Sequence, residues 1–224
     1  MLFLGIDLGT SSIKLVVMDE KGEIKASAGG EYGLSFPKPG WSEQNPSDWV
    51  AQMEASIKAL GAKINLKEIA GISFGGQMHG LVILDENDNV IRPAILWNDG
   101  RTQEECDYLN KTIGREKISA YTANMALTGF TAPKILWVKK NEPENFAKIA
   151  KIMLPKDYLA YLLSGVHCTD VSDASGMLLM DVENKCWSKE MMEICDVKEE
   201  QLAKIFESYD VVGTIKADVA ERLG

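Results

Sequence analysis

The chain has 224 residues, 46% of them hydrophobic and 25% charged, with a formal net charge of −9 at pH 7. That length and balance suit a globular protein with a proper core, as one large domain or two small ones. The acidic balance argues against a nucleic-acid-backbone binder, which needs a basic face, though a nucleotide site needs only local donors. No apolar run approaches the roughly 20 residues of a membrane-spanning helix.

The N-terminus has no basic segment ahead of an apolar stretch, so a cytoplasmic location is expected. Four cysteines, Cys106, Cys168, Cys186 and Cys195, include no C-x-x-C pair and read as reduced thiols. With only His79 and His167 beside them, a structural zinc site is not expected.

The chain opens with an apolar run, Leu2 to Ile6, that ends at Asp7. The turn Leu8-Gly9-Thr10-Ser11-Ser12 follows, and a second apolar run, Ile13 to Met18, ends at Asp19. Two β-type runs around a glycine-containing turn predict a hairpin. A turn this rich in N–H and hydroxyl donors suits a phosphate, and Asp7 beside it suits Mg²⁺ held through water. The same residues also fit a plain β-turn with Asp7 as a turn residue. Glu23 to Tyr32 predicts a third strand, hence a mixed sheet that begins with three antiparallel strands. No G-x-G-x-x-G follows the first strand, so a dinucleotide site is not supported. Gly33 to Asn45 reads as a loop, in which Trp41 either lines a pocket or packs. A helix starting at Pro46 or Ser47 places Trp49, Met53, Ile57 and Leu60 at helical spacing, and Gly61 closes it.

Ile69 to Phe74 is predicted as a buried strand. Gly75-Gly76-Gln77-Met78-His79-Gly80 lies at its end, where sheets of this type bind ligands. His79 is there either a ligand contact or a satisfied structural histidine. Leu81–Leu84 and Val90–Leu96, joined by Asp85–Asn89, predict a second hairpin leading into Trp97-Asn-Asp-Gly-Arg-Thr102. Asn98, Asp99 and Arg101 could grip hydroxyls there while Trp97 packs a C–H face. Asp99 could equally cap a helix from Arg101 to Leu109. Thr122 to Asn141 predicts a polar loop and then a helix from about Pro133. A short strand at Met153 leads through Pro155 into a helix, Lys156 to Leu163. Thr169 to Gly176 reads as a hydroxyl-rich loop, Met177 to Asp181 as a short strand, and Trp187 to Leu223 as helices and turns ending at Gly224.

These motifs together resemble the FGGY carbohydrate kinases, of the ribonuclease H-like group that includes actin, hexokinase and heat-shock chaperones. Asp7-Leu-Gly-Thr-Ser-Ser-Ile-Lys14 resembles that group's first phosphate motif. Gly129-Phe-Thr-Ala-Pro-Lys-Ile-Leu-Trp-Val-Lys-Lys-Asn141 matches the family's first signature pattern, centred on Lys134 and Trp137. Gly76-Gln-Met-His-Gly80, Arg92 to Thr102, Leu154 to Tyr158 and Asp170 to Gly176 are similar to the xylulokinase branch. The resemblance implies an α/β ribonuclease H-like domain over residues 1–224, its mixed sheet flanked by helices. It implies ATP and Mg²⁺ as cofactors, with phosphoryl transfer to the terminal hydroxyl of D-xylulose. Asp7 would organise Mg²⁺ through water, while Gly9, Thr10, Ser11, Ser12 and Lys14 would serve the nucleotide phosphates. Met78 and His79 would contact the ketose, with Asn98, Asp99 and Arg101 in the same pocket.

One departure from the family pattern concerns its catalytic base, an aspartate in a Gly-Gly-Gly-Asp-like motif, because no Gly-Gly-Asp occurs here. The resemblance implies that this aspartate lies beyond Gly224. The expectation is an N-terminal sugar-binding half, cut at Gly224 before the base and before the nucleotide-binding domain, with little or no kinase activity of its own. Asp99 is a conceivable substitute base. The alternatives are a kinase for another ketose or polyol, such as ribulose or glycerol, and an actin-like binding module without chemistry. Uncovered apolar surface would favour self-association, including a homodimer.

Overall fold

The computed structural model describes all residues, 1–224. Strands β1 (Leu2–Leu8), β2 (Ser12–Asp19) and β3 (Ile24–Glu31) run antiparallel in sequence. Next come β4 (Glu43–Gln44) and helix α1 (Pro46–Gly61), and then β5 (Ile69–Gly76), which pairs parallel with β1. The sheet order is β3-β2-β1-β5. This mixed sheet with flanking helices is the ribonuclease H-like arrangement expected from the sequence.

Alternation explains how the sheet packs. Leu4, Ile6 and Leu8 of β1 and Ile13, Leu15 and Val17 of β2 are buried on one face, against Trp49, Met53, Ile57 and Leu60 of α1. Helix α1 starts where expected because Pro46 occupies its first turn and the Asn45 side chain accepts from the Ser47 N–H. The other sheet face carries Phe3, Asp7, Lys14 and Met18, all exposed.

Strand β5 differs from expectation. None of its residues is buried, because it has β1 on one side and no strand on the other. The second hairpin is also only partial. Its arms meet through isolated antiparallel bridges, Leu84 of β6 (Val82–Leu84) with Val90 and Leu81 with Ile95, while β7 (Ala94–Ile95) also pairs with β4. Pro93, which has no N–H to give, interrupts the second arm.

Helix α2 (Gln103–Asp107) continues through a π-helical segment, Tyr108–Gly114, into α3 (Arg115–Thr122). Helices α4 (Thr131–Asn141) and α5 (Pro143–Phe146) precede β8 (Lys151–Met153), the antiparallel partner of β6. Helix α6 (Pro155–Ser164) packs beneath β1 and β5. After β9 (Cys168–Asp170), the expected loop is a short helix, α7 (Val171–Ser175), because Asp170 caps it on the N–H groups of Ser172 and Asp173. Then come β10 (Met180–Asp181), β11 (Cys186–Trp187), α8 (Lys189–Cys195), β12 (Lys204–Phe206) and α9 (Ala217–Leu223). Gly224 caps α9, its N–H donating to the Ala220 carbonyl at 2.9 Å.

Two apolar clusters share β6 and β8. Val82, Leu84 and Met153 belong to the cluster under the sheet, while Leu81, Ile83 and Ile152 belong to one built on α2, α3, α4 and α8. No helix is long and apolar enough to cross a membrane.

Candidate active site

Two loops leave the same end of two neighbouring parallel strands. Asp7 of β1 lies opposite Lys14 on one side and Gly75 of β5 on the other. Beyond Leu8 comes the hydroxyl-rich turn, and beyond Gly76 comes Gln77-Met78-His79. The Gln77 N–H donates to the Leu8 carbonyl at 2.7 Å and ties the two exits together.

The turn is oriented by the fate of its carbonyls. The Gly9 carbonyl accepts from the Tyr32 hydroxyl at 2.5 Å, and the Ser11 carbonyl from the Tyr32 N–H at 3.1 Å. The Thr10 carbonyl accepts from Gln44 Nε2 at 2.6 Å, and the Ser12 carbonyl from the Gly9 N–H at 2.9 Å. A Cβ on Gly9 would stand 3.0 Å from that Ser12 oxygen, so any larger residue would have to push the turn open by a few tenths of an ångström. All four acceptors are satisfied within the protein, one of them by the Gly9 N–H, whereas the side chains of Ser11 and Ser12 are exposed. A surface left with donors and few acceptors suits an anion.

Gln44 joins the turn to the second loop. Its Oε1 accepts from Trp49 Nε1 at 3.1 Å and from Gln77 Nε2 at 3.0 Å. Trp97, half exposed, donates its indole N–H to the Thr10 hydroxyl at 2.9 Å. Asn98 beside it is exposed, as is Met78. Tyr32, Gln44 and Gln77 were not singled out from the sequence. The only signal for them was polar or amphipathic residues in or beside segments otherwise made of glycine and proline.

His79 sits half-buried with φ +64°, unusual for a residue with a side chain. Its ring packs against Phe130, with 4.7 Å between centroids, and its Nδ1 is buried without a hydrogen-bond partner. Gly176 leaves it room, since a Cβ there would overlap the imidazole, 2.7 Å from Nδ1. Burial, and then the Lys134 charge, lower its pKa, which favours the neutral ring.

Asp99 and Arg101 are placed otherwise than the sequence suggested. Asp99 is 1% exposed, and it accepts from the Ser42 N–H at 2.6 Å, the Arg101 N–H and Nε at 2.9 Å and Arg101 Nη2 at 2.7 Å. The Arg101 guanidinium is fully buried, bonded also to Glu43 at 2.7 Å, and lies over Trp41 at 3.8 Å and Trp137 at 4.9 Å. Neither group is free to grip a sugar. Asp99 is not a free base either, and the N-cap of α2 is Thr102. The pair is scaffold beneath the Trp97–Asn98 segment. Arg92 extends it, bonded to Glu43 at 2.6 Å and Glu142 at 2.9 Å.

Gly224, beyond which the family resemblance implies the base, has no side chain to offer the site. A Cβ there would meet Leu66, ahead of the start of β5, whereas the Asp7 and His79 loops lie beyond the other ends of β1 and β5. Its part is local, as the cap of α9.

A second buried charge cluster lies under the end of β5, where Lys156 Cβ comes within reach of Gly76. Lys156 Nζ contacts Asp157 at 2.6 Å, Asp170 at 2.8 Å and Asp173 at 3.2 Å. Burial alone would lower the Lys156 pKa, but the carboxylates hold it above the ordinary lysine value. Burial pushes Asp157 up to about 6, against the pull of Lys156.

The model for the N-terminal domain of the FGGY family of carbohydrate kinases matches residues 2–224. The chain belongs to this family. A xylulose kinase of Lactococcus lactis subsp. lactis is 46% identical over 98% of this chain and 44% of its own length. Among solved structures, a xyloylose (xylulose) kinase from Brucella ovis superposes with TM-score 0.94 at 40% identity, covering 97% of this chain and 46% of that one. A gluconate kinase from Lactobacillus acidophilus gives TM-score 0.94 at 29% identity, covering all of this chain and 45% of that one. The chain therefore spans about half the length of the FGGY kinases it matches.

Proposed function

We propose that this chain supplies the sugar-facing side, and part of the phosphate-facing side, of an ATP-dependent kinase that phosphorylates D-xylulose at its terminal hydroxyl. The observation that carries the reading is the pairing of two exits at one sheet end. The donor-lined turn after β1 and the Met78–His79 loop after β5 are bonded to each other through Gln77 and Leu8. Curated relatives named xylulose kinase, 40–46% identical over nearly the whole of this chain, favour the ketose.

In this reading Gly9, Thr10, Ser11, Ser12 and Lys14 serve the nucleotide phosphates, and Met78, His79 and Asn98 serve the sugar. Gly75, which has no Cβ, leaves the side of Asp7 open where a Cβ would lie in van der Waals contact with Asp7 Oδ1, at 3.8 Å. No group of three or more metal-ligating side chains comes together. An exposed single carboxylate fits Mg²⁺ bound through water, the mode this hydrated ion prefers. When bound, the ion would neutralise charge on the transferring phosphoryl group. The chain's own part is to hold phosphate and hydroxyl at a fixed separation, which is where catalysis of this transfer mainly resides. The neutral His79 imidazole can donate or accept at a sugar hydroxyl. With Asp99 consumed by Arg101, the base that takes the hydroxyl proton is proposed to lie beyond Gly224, within a longer cytoplasmic kinase.

The test is a substrate panel on the product of the complete reading frame. ATP-dependent turnover should be fastest with D-xylulose. Faster turnover of glycerol or gluconate, or none with D-xylulose, would contradict the proposal.

A further inference from the structure

Lys134 is sealed in the interior, with 0% exposure, and no carboxylate pairs with it. A buried ammonium with no counter-ion is expensive unless every proton is taken by an acceptor. Here Nζ donates to three carbonyls, His79 at 3.1 Å, Phe130 at 3.2 Å and Gly129 by a closer contact. Three donors meet three acceptors, as a lysine ammonium requires. Thr131 adds its hydroxyl to the same His79 carbonyl at 3.1 Å. The carbonyl that Lys134 grips therefore belongs to the residue with left-handed backbone, one place beyond Met78. Such a conformation costs free energy and persists only when the surroundings hold it.

We infer that Lys134 is the positioning residue of the Met78–His79 loop: anchored on the Gly129 and Phe130 carbonyls, its ammonium holds the His79 carbonyl and so locks His79 in the left-handed conformation that presents the imidazole to the sugar. The inference rests on the assignment of that loop to the sugar. Lys134 reaches no substrate itself and acts through the His79 backbone, while Phe130 and Gly176 hold the ring from two sides. Burial pushes Lys134 down to about 7 against the attraction of Asp99, so the clamp gains its charge as pH falls through that value. The charged groups acting on His79 are Lys134 of α4, which lowers its pKa, and Asp173 of α7, which raises it. Cys106 and Arg101 complete the set around Lys134.

The chain has two histidines, so one NMR titration resolves both and His167 serves as an internal control. Three readouts are compared between wild type and Lys134→Met: the pKa of each imidazole, the backbone ¹³C shifts of His79, and the dissociation constant for D-xylulose. The variant is expected to raise the His79 pKa, leave His167 unchanged, move the His79 ¹³C shifts off left-handed values and weaken D-xylulose about tenfold. Thr131→Val removes one donor and no charge. It should weaken D-xylulose about threefold without raising the His79 pKa, and it carries the test should Lys134→Met fail to fold. Unchanged ¹³C shifts and affinity in a folded variant overturn the inference, even if the His79 pKa rises. Should wild type show no response to D-xylulose, the sugar assignment fails, and the ¹³C shifts still decide whether Lys134 holds the loop.

Discussion

Asp99→Asn separates a scaffold from a sugar contact. The substitution keeps the shape of the side chain but removes the charge that Arg101 faces through three of its N–H groups. Breaking a buried ion pair costs about 3–5 kcal/mol, because the surviving charge is left unpaired. Glu43 remains on Arg101 at 2.7 Å, which places the loss at the lower end, about 3 kcal/mol. For a chain of this size about 2–4 °C of melting temperature accompanies each kcal/mol, so the variant should melt about 6–12 °C lower. The assay is thermal and urea unfolding of both proteins, alongside D-xylulose binding well below the variant's melting point. Sugar affinity should fall much less than stability. A variant that melts within about 2 °C of wild type yet loses sugar affinity would refute the scaffold role, since that small a shift is below the cost of any broken buried pair.

Three further outcomes follow from the geometry. Asp7→Asn alters an exposed side chain, so stability should stay within about 0.5 kcal/mol while phosphoryl transfer by the complete gene product falls at least about a hundredfold. A melting shift of similar size to that of Asp99→Asn would contradict it. Gly176→Ala puts a methyl into the His79 imidazole and should weaken sugar binding with little effect on nucleotide binding, as two calorimetric titrations would show. The third outcome concerns Asp157, whose folded pKa of about 6 lies above its unfolded value of 3.8. The native state therefore binds more protons between those values, and this group's contribution to stability falls as pH rises from about 4 to about 6. Asp157→Asn removes that loss. Its stability relative to wild type should climb through the window and level off above it, which urea unfolding at a series of pH values measures. A difference independent of pH would contradict the raised pKa.

The hairpin around Asp7 was legible because two apolar runs of period two and a glycine turn leave little alternative, and helix α1 because its stripe, proline and terminal glycine agree. The exposure of β5 was not legible, since an apolar run does not tell whether a second strand lies beside it. The placement of Asp99 and Arg101 was misread for a related reason. Polar residues two apart can face a ligand or each other. What decides is Glu43 and Trp41, about sixty residues upstream, whose approach no local pattern reports. Lys134 stood inside the family signature, but a lysine amid apolar helix residues gives no sign of the carbonyls that surround it. Local periodicity carries the elements, whereas the site depends on long-range bonds such as Trp97 to Thr10 and Gln44 to Gln77.

The most direct measurement offers the product of the complete reading frame an equimolar mixture of D-xylulose, D-ribulose, glycerol and gluconate with ATP and Mg²⁺, and follows the phosphorylated products by ³¹P NMR. The account predicts that D-xylulose 5-phosphate accumulates first and in excess. A different leading product would contradict the assignment of the Met78–His79 loop to a ketose, and the absence of any sugar phosphate would contradict the kinase reading as a whole.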